Sequence, residues 1–105
     1  MNRPHLAAAL LWMAGIFYAS SLPGSEAGLP PPWDKLAHLA AYAVLGFLLG
    51  QGTGRPALAF LIAALYGVSD ELHQTRVPGR EASVLDWLAD AAGALLGARL
   101  TGRRP

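Results

Sequence analysis

The chain contains no cysteine, which excludes disulfide staples and thiolate metal sites. It is also poor in charge. Asp, Glu, Lys and Arg make up 14% of its 105 residues, against roughly 25% in an ordinary soluble domain, while 53% are hydrophobic. A domain this small has much surface to cover with polar groups, and the chain has too few of them. Its formal charge of +1 is too small to point to nucleic acid as a partner. No nucleophile motif, phosphate-binding loop or phosphatase signature is present, nor any internal repeat or low-complexity tail.

What is present is four apolar stretches, at about residues 6–22, 33–50, 56–72 and 83–100. Each is near the lower length limit for crossing a hydrocarbon core of about 30 Å. Pro23-Gly24 stops the first, and Pro56 suits a helix N-terminus at the third. A Pro-rich loop, a short Gly-rich turn and a polar loop centred on Pro78-Gly79 separate them. The turn is so short that the second and third stretches form an antiparallel hairpin. The expected fold is therefore an all-α integral membrane bundle of four transmembrane helices, forming a single domain over residues 1–105. A cleaved signal peptide is a rival for the first stretch, because Arg3 precedes it and Ala19-Ser20-Ser21 are small. Three further apolar stretches favour its retention. A soluble four-helix bundle is the other rival, opposed by positions 57–65, where outward faces are apolar as well.

If all four stretches span, the loops alternate sides. One side then carries Arg3, Arg55, Arg99, Arg103 and Arg104, and the other Lys35, Arg76 and Arg80. This positive-inside bias places both termini in the cytoplasm. The polar residues Asp34, Lys35, His38, Asp70, Glu71, His73, Gln74, Arg80 and Asp86 then share the extracytoplasmic face, with Trp33 and Trp87 at its boundary.

Three groups of polar residues stand out. Asp34, His38 and Tyr42, spaced by four, line one face of the second helix as a stripe entering the membrane. A carboxylate one turn from an imidazole can fix its tautomer and raise its basicity. The structural alternative makes Asp34 an N-terminal helix acid, Lys35 a snorkelling cation and His38 a buried donor. Asp70, Glu71, His73 and Gln74 close the third helix, where the dipole disfavours carboxylates, so the acids require a partner or a task. Asp70 shares a face with His73 and Gln74, while Glu71 points elsewhere. Arg80, Ser83, Asp86 and Asp90 form the last group. Asp86 and Asp90 share a face with Gly93 and Gly97, a small-xxx-small spacing matched by Gly46 and Gly50. Close packing through these glycines would bring Asp86 and Asp90 to the His38 stripe. The first stretch carries no ionisable group in its interior and reads as packing and lipid contact.

The run Asp34-Lys35-x-x-His38-x-x-x-Tyr42, then Asp70-Glu71-x-His73-Gln74, then Val77-Pro78-Gly79-Arg80-x-x-Ser83-x-x-Asp86, closed by Gly93 and Gly97, resembles the VanZ-like membrane protein family. The resemblance covers about residues 33–97, the first helix fitting by position only. At the position of Asp90 the family often has asparagine. The resemblance implies a small integral membrane protein with a polar outer-face cluster, in a family whose namesake is associated with low-level teicoplanin resistance.

The leading expectation is a cell-envelope protein whose outer pocket recognises or modifies a lipid-linked or phosphorylated head group. Lys35 and Arg80 would hold the anion, and Asp34 and His38 would act as an acid/base pair. Asp70, Glu71 and Asp86 would orient them or bind a divalent cation. Tyr42, His73, Gln74, Ser83 and Asp90 would complete the pocket. The alternative is a membrane scaffold or partner-binding protein whose polar cluster is an ion-pair lock. Ion translocation is disfavoured, since no ionisable residue marks the inner half of any helix.

Overall fold

The computed structural model describes residues 2–21, 33–77 and 84–101, the side chain of Asp34 excepted. These residues form four helices and no strand: α1 (Arg3–Ser21), α2 (Trp33–Thr53), α3 (Pro56–Gln74) and α4 (Val84–Arg99). The helices follow the four apolar stretches. At 1.5 Å per residue, their 19, 21, 19 and 16 residues span about 28, 31, 28 and 24 Å. Among the described residues one segment, Lys35–Thr53, is long and apolar enough to cross a membrane, by length and composition alone.

The hairpin between α2 and α3 depends on Gly54, whose φ of 71° is a left-handed conformation open to glycine at little cost. Its amide caps the carbonyl of Gly50 at 2.8 Å, and Pro56 begins α3 just after Arg55. Asn2 N donates to Gly52 O at 2.8 Å, which sets the start of α1 beside the end of α2. At the opposite end Ser21 meets His73, and Lys35 meets Asp86. The helices thus run up and down in sequence, leaving α2 parallel to α4. One end holds the exposed Arg3, Arg55 and Arg99. The other collects Lys35, His38, Asp70, Glu71, His73, Gln74, Asp86 and Asp90.

The most extensive contact joins α2 to α4, and small residues make it possible. A Cβ added at Gly93 would collide with Leu39 O, one at Gly97 with Ala43 O and one at Gly46 with Ala94 O. The two backbones therefore touch, as the glycine spacing predicts. Gly50 differs, since its neighbour is the Thr101 side chain just beyond α4, at 2.6 Å. Helix α1 lies outermost and packs on α2 and, less closely, on α3. Two aromatic donors tie it down: Trp12 Nε1 to Ala41 O at 2.8 Å, and Tyr66 OH to Met13 O at 2.6 Å.

Many large apolar side chains face outward, while several polar ones lie inside among the apolar core. Leu10, Leu11, Phe17, Leu61, Leu65, Leu72, Leu85, Leu96 and Leu100 are exposed, whereas Asp90 and Gln74 are among the largest fully buried side chains.

Candidate functional site

At the polar end, α2 presents Lys35, His38 and Tyr42, and each reaches a carboxylate on another helix. Lys35 Nζ donates to Asp86 Oδ1 at 2.8 Å, and His38 Nδ1 lies 2.8 Å from Asp90 Oδ1. Tyr42 OH donates to Asp70 Oδ2 at 3.2 Å. The parallel course of α2 and α4 explains the first two pairs. Lys35 and His38 are three apart and Asp86 and Asp90 four apart, so both pairs fall on successive turns of one seam. The close backbone approach at Gly93 and Gly97 lets these side chains meet.

Burial grades the three links. Asp90 is wholly enclosed and His38 retains 17% side-chain exposure, while Lys35 keeps 36% and lies at the rim. A hydrogen bond between an imidazole nitrogen and a carboxylate oxygen needs one shared proton. With Nδ1–H donating to Asp90, Nε2 carries a lone pair, and it makes no hydrogen bond among the described residues. An imidazole held from behind by a carboxylate, with its second nitrogen open, is the arrangement of a general base.

Helix α3 supplies Asp70, Glu71 and Gln74, all buried. Spacing alone sets Glu71 apart from Asp70, but the structure buries both. Measured from Asp70 around the helix, Gln74 lies at about +40°, Gly67 at about +60° and Glu71 at about +100°, one arc covered by α2 and α4. His73, at about −60°, falls outside it and turns to α1. There its Nε2 is 2.8 Å from Ser21 Oγ, and its ring stacks on Phe17 with centroids 4.5 Å apart. The expected face of Asp70, His73 and Gln74 is thus divided between the interior and the α1 rim. Because Ser21 Oγ donates to Phe17 O at 2.7 Å, it accepts from His73, so this pair joins helices and does not activate the hydroxyl.

The structure thus brings together Lys35, His38, Tyr42, Asp70, Glu71, Gln74, Asp86 and Asp90. Arg80 and Ser83 lie outside the described residues, as does the side chain of Asp34. The carboxylate at His38 is Asp90, from the facing helix. The Ser21 contact to His73 has no periodic mark in the sequence. Nor does the bond from Trp87 Nε1 to Ala64 O at 3.1 Å, which ties α4 to α3. Their one signal is chemical: an indole, phenol or hydroxyl in an apolar helix requires an acceptor. For metals, the grouping with suitable atoms among the described residues is His38, Glu71 and Asp90, whose ligand atoms lie within 4.8 Å of one another.

No curated protein and no solved structure gives a significant match to the chain. The sequence profile of the VanZ/LLP1 family matches residues 5–102, a span that takes in all of α2, α3 and α4, all but the first two residues of α1 and every described polar side chain of the cluster. The chain belongs to the VanZ/LLP1 family.

Proposed function

We propose that the chain is a four-span protein of the cell membrane with both termini cytoplasmic. Its extracytoplasmic pocket recognises or modifies the head group of a lipid-linked or phosphorylated envelope component. The single observation that carries the pocket is the dyad of His38 and the buried Asp90, with Nε2 making no hydrogen bond among the described residues. The apolar exterior supports the membrane setting. His38 acts as the proton-handling group, with Asp90 in the orienting place that the sequence offers to Asp34. Lys35 and Arg80 supply positive charge to the anion. The link to teicoplanin tolerance belongs to this same proposal.

The test uses protein in nanodiscs with and without a polyprenyl phosphate. Wild type binds the phosphorylated lipid about 10-fold or more tightly than a neutral polyprenol, a difference of about 1.4 kcal/mol, and His38→Gln abolishes the preference. Equal binding by wild type and His38→Gln refutes the pocket.

A second reading, a structural lock, is favoured by the three links that tie α2 to α3 and α4. It expects His38→Gln to lower stability with ligand binding absent from wild type as well.

A further inference from the structure

We infer that His38, Glu71 and Asp90 form a binding site for a divalent transition cation, Zn²⁺ being the best chemical fit. The inference goes beyond the head-group reading and does not require it. Three observations carry it. The three side chains come from three different helices and bring one ligand atom each to within 4.8 Å of the others. Nδ1 of His38 and Oδ1 of Asp90 are 2.8 Å apart, about 0.5–0.8 Å inside the edge between adjacent ligands of a tetrahedral ion whose bonds are about 2.0–2.2 Å long, so a small side-chain rotation makes room for it. Asp90 is 0% exposed, and its Oδ2 has no hydrogen-bond partner among the described residues.

The third observation separates this group from an ordinary cluster of acids. A buried carboxylate oxygen without a donor is costly. This one is aimed at α3 beside Glu71: a Cβ at Gly67, one turn before Glu71, would lie 3.4 Å from it. Gly67 keeps that space open. One imidazole and two carboxylates form a mixed nitrogen and oxygen set, which suits Zn²⁺ better than Ca²⁺ or Mg²⁺, whose preferred ligands are oxygens alone. The ion would take the place between His38 Nδ1 and Asp90, the shared proton passing to Nε2, and would engage Oδ2 directly or through a bound water. The ligand atoms lie within 4.8 Å of one another, at most about 1.2–1.5 Å beyond the edge of a tetrahedral ion, a difference that side-chain rotation supplies. The remaining coordination positions would face the partly open side of His38.

The experiment uses full-length protein with a histidine-free tag, stripped with chelator in detergent, reloaded with Zn²⁺ and desalted. Wild type and Ser69→Ala, an exposed position on α3, retain about one Zn²⁺ per chain. Asp90→Asn and Glu71→Gln bind it at least about 10-fold more weakly, since even loss of outer-sphere support costs about 10- to 100-fold. X-ray absorption at the zinc edge of wild type, which needs no variant to fold, shows one imidazole in a shell of oxygens. A wild type that retains no Zn²⁺, equal affinity in Asp90→Asn and Glu71→Gln, or a shell with no imidazole or with two each overturns the site.

Discussion

The contact between α2 and α4 yields the sharpest test of the architecture, because two glycines in the chain sit in opposite surroundings. At Gly97 an added Cβ would collide with Ala43 O and would stand 2.7 Å from Ala43 C and 2.8 Å from Phe47 N. All of these are backbone atoms, which cannot swing aside as a side chain can. Gly97→Ala must therefore separate the helices, at an overpacking cost of about 1–3 kcal/mol. At Gly15, in the middle of α1, the added Cβ meets nothing within 4 Å. Gly15→Ala should therefore stabilise by up to about 1 kcal/mol, through the better helix propensity of alanine. The same chemical change thus has opposite signs at the two positions, with a difference of about 1–4 kcal/mol. Reversible unfolding of both variants in mixed micelles, followed by tryptophan fluorescence, measures that difference. If Gly97→Ala is as stable as Gly15→Ala, the backbones do not touch and the placement of Asp90 beside His38 loses its foundation.

Four further outcomes follow from the site and the topology. Burial decides between the ion pairs: His38→Ala leaves Asp90 enclosed without its partner and costs about 3–5 kcal/mol. Lys35→Met, at the rim, costs about 1 kcal/mol or less in the same unfolding assay, and equal costs would refute the grading. Tyr42→Phe removes the hydroxyl that donates to buried Asp70 and lowers stability by about 1–3 kcal/mol. An unchanged value would mean that the 3.2 Å contact is not a stabilising bond. Trp12→Phe deletes the tie from α1 to Ala41 O and costs about 0.5–1.5 kcal/mol, with faster hydrogen exchange confined to α1 as a second readout. Because the chain lacks cysteine, single-cysteine labelling reports topology without background. Trp33→Cys should react with an impermeant maleimide from outside intact cells and Arg55→Cys only after permeabilisation, so labelling of both from one side refutes four spans.

The sequence carried the arrangement of helices and the end at which polar groups gather, because both depend on period and on turn length. Spacings of four placed His38 and Tyr42 on one face, and the glycines at 93 and 97 marked the side of α4 that carries Asp86 and Asp90. The partner of each group was less legible. Asp34 is one turn from His38 and its side chain lies outside the described residues, while the glycine spacing points to Asp90 as well, and among the described residues Asp90 is the carboxylate bonded to His38, set by the parallel register of α2 against α4. Glu71 entered the interior because α3 buries an arc of about 100°, a width that spacing from Asp70 does not reveal. His73 went to Ser21 for the same reason, since the rotation of α3 about its axis is set by packing. The aromatic donors Trp12, Tyr66 and Trp87 reach backbone carbonyls on neighbouring helices, and a carbonyl acceptor has no residue type by which to recognise it.

The contact of Gly46 with Ala94 O also constrains how the molecule can move. With the contacts at Gly93 and Gly97 it joins the two backbones at successive levels, and among the three glycine contacts on α2 it is the farthest from His38, so a rock that parts the polar end turns about it. His38 lies eight residues from Gly46, a lever arm of about 12 Å. A rock of about 10° would therefore part His38 from Asp90 by about 2 Å. On the other side of the fulcrum the same rock moves Gly50 against Thr101 half as far. Opening at the polar end is thus geared to compression at the arginine end, and a bulkier residue at 101 would hold the pocket shut from the far side of the bundle.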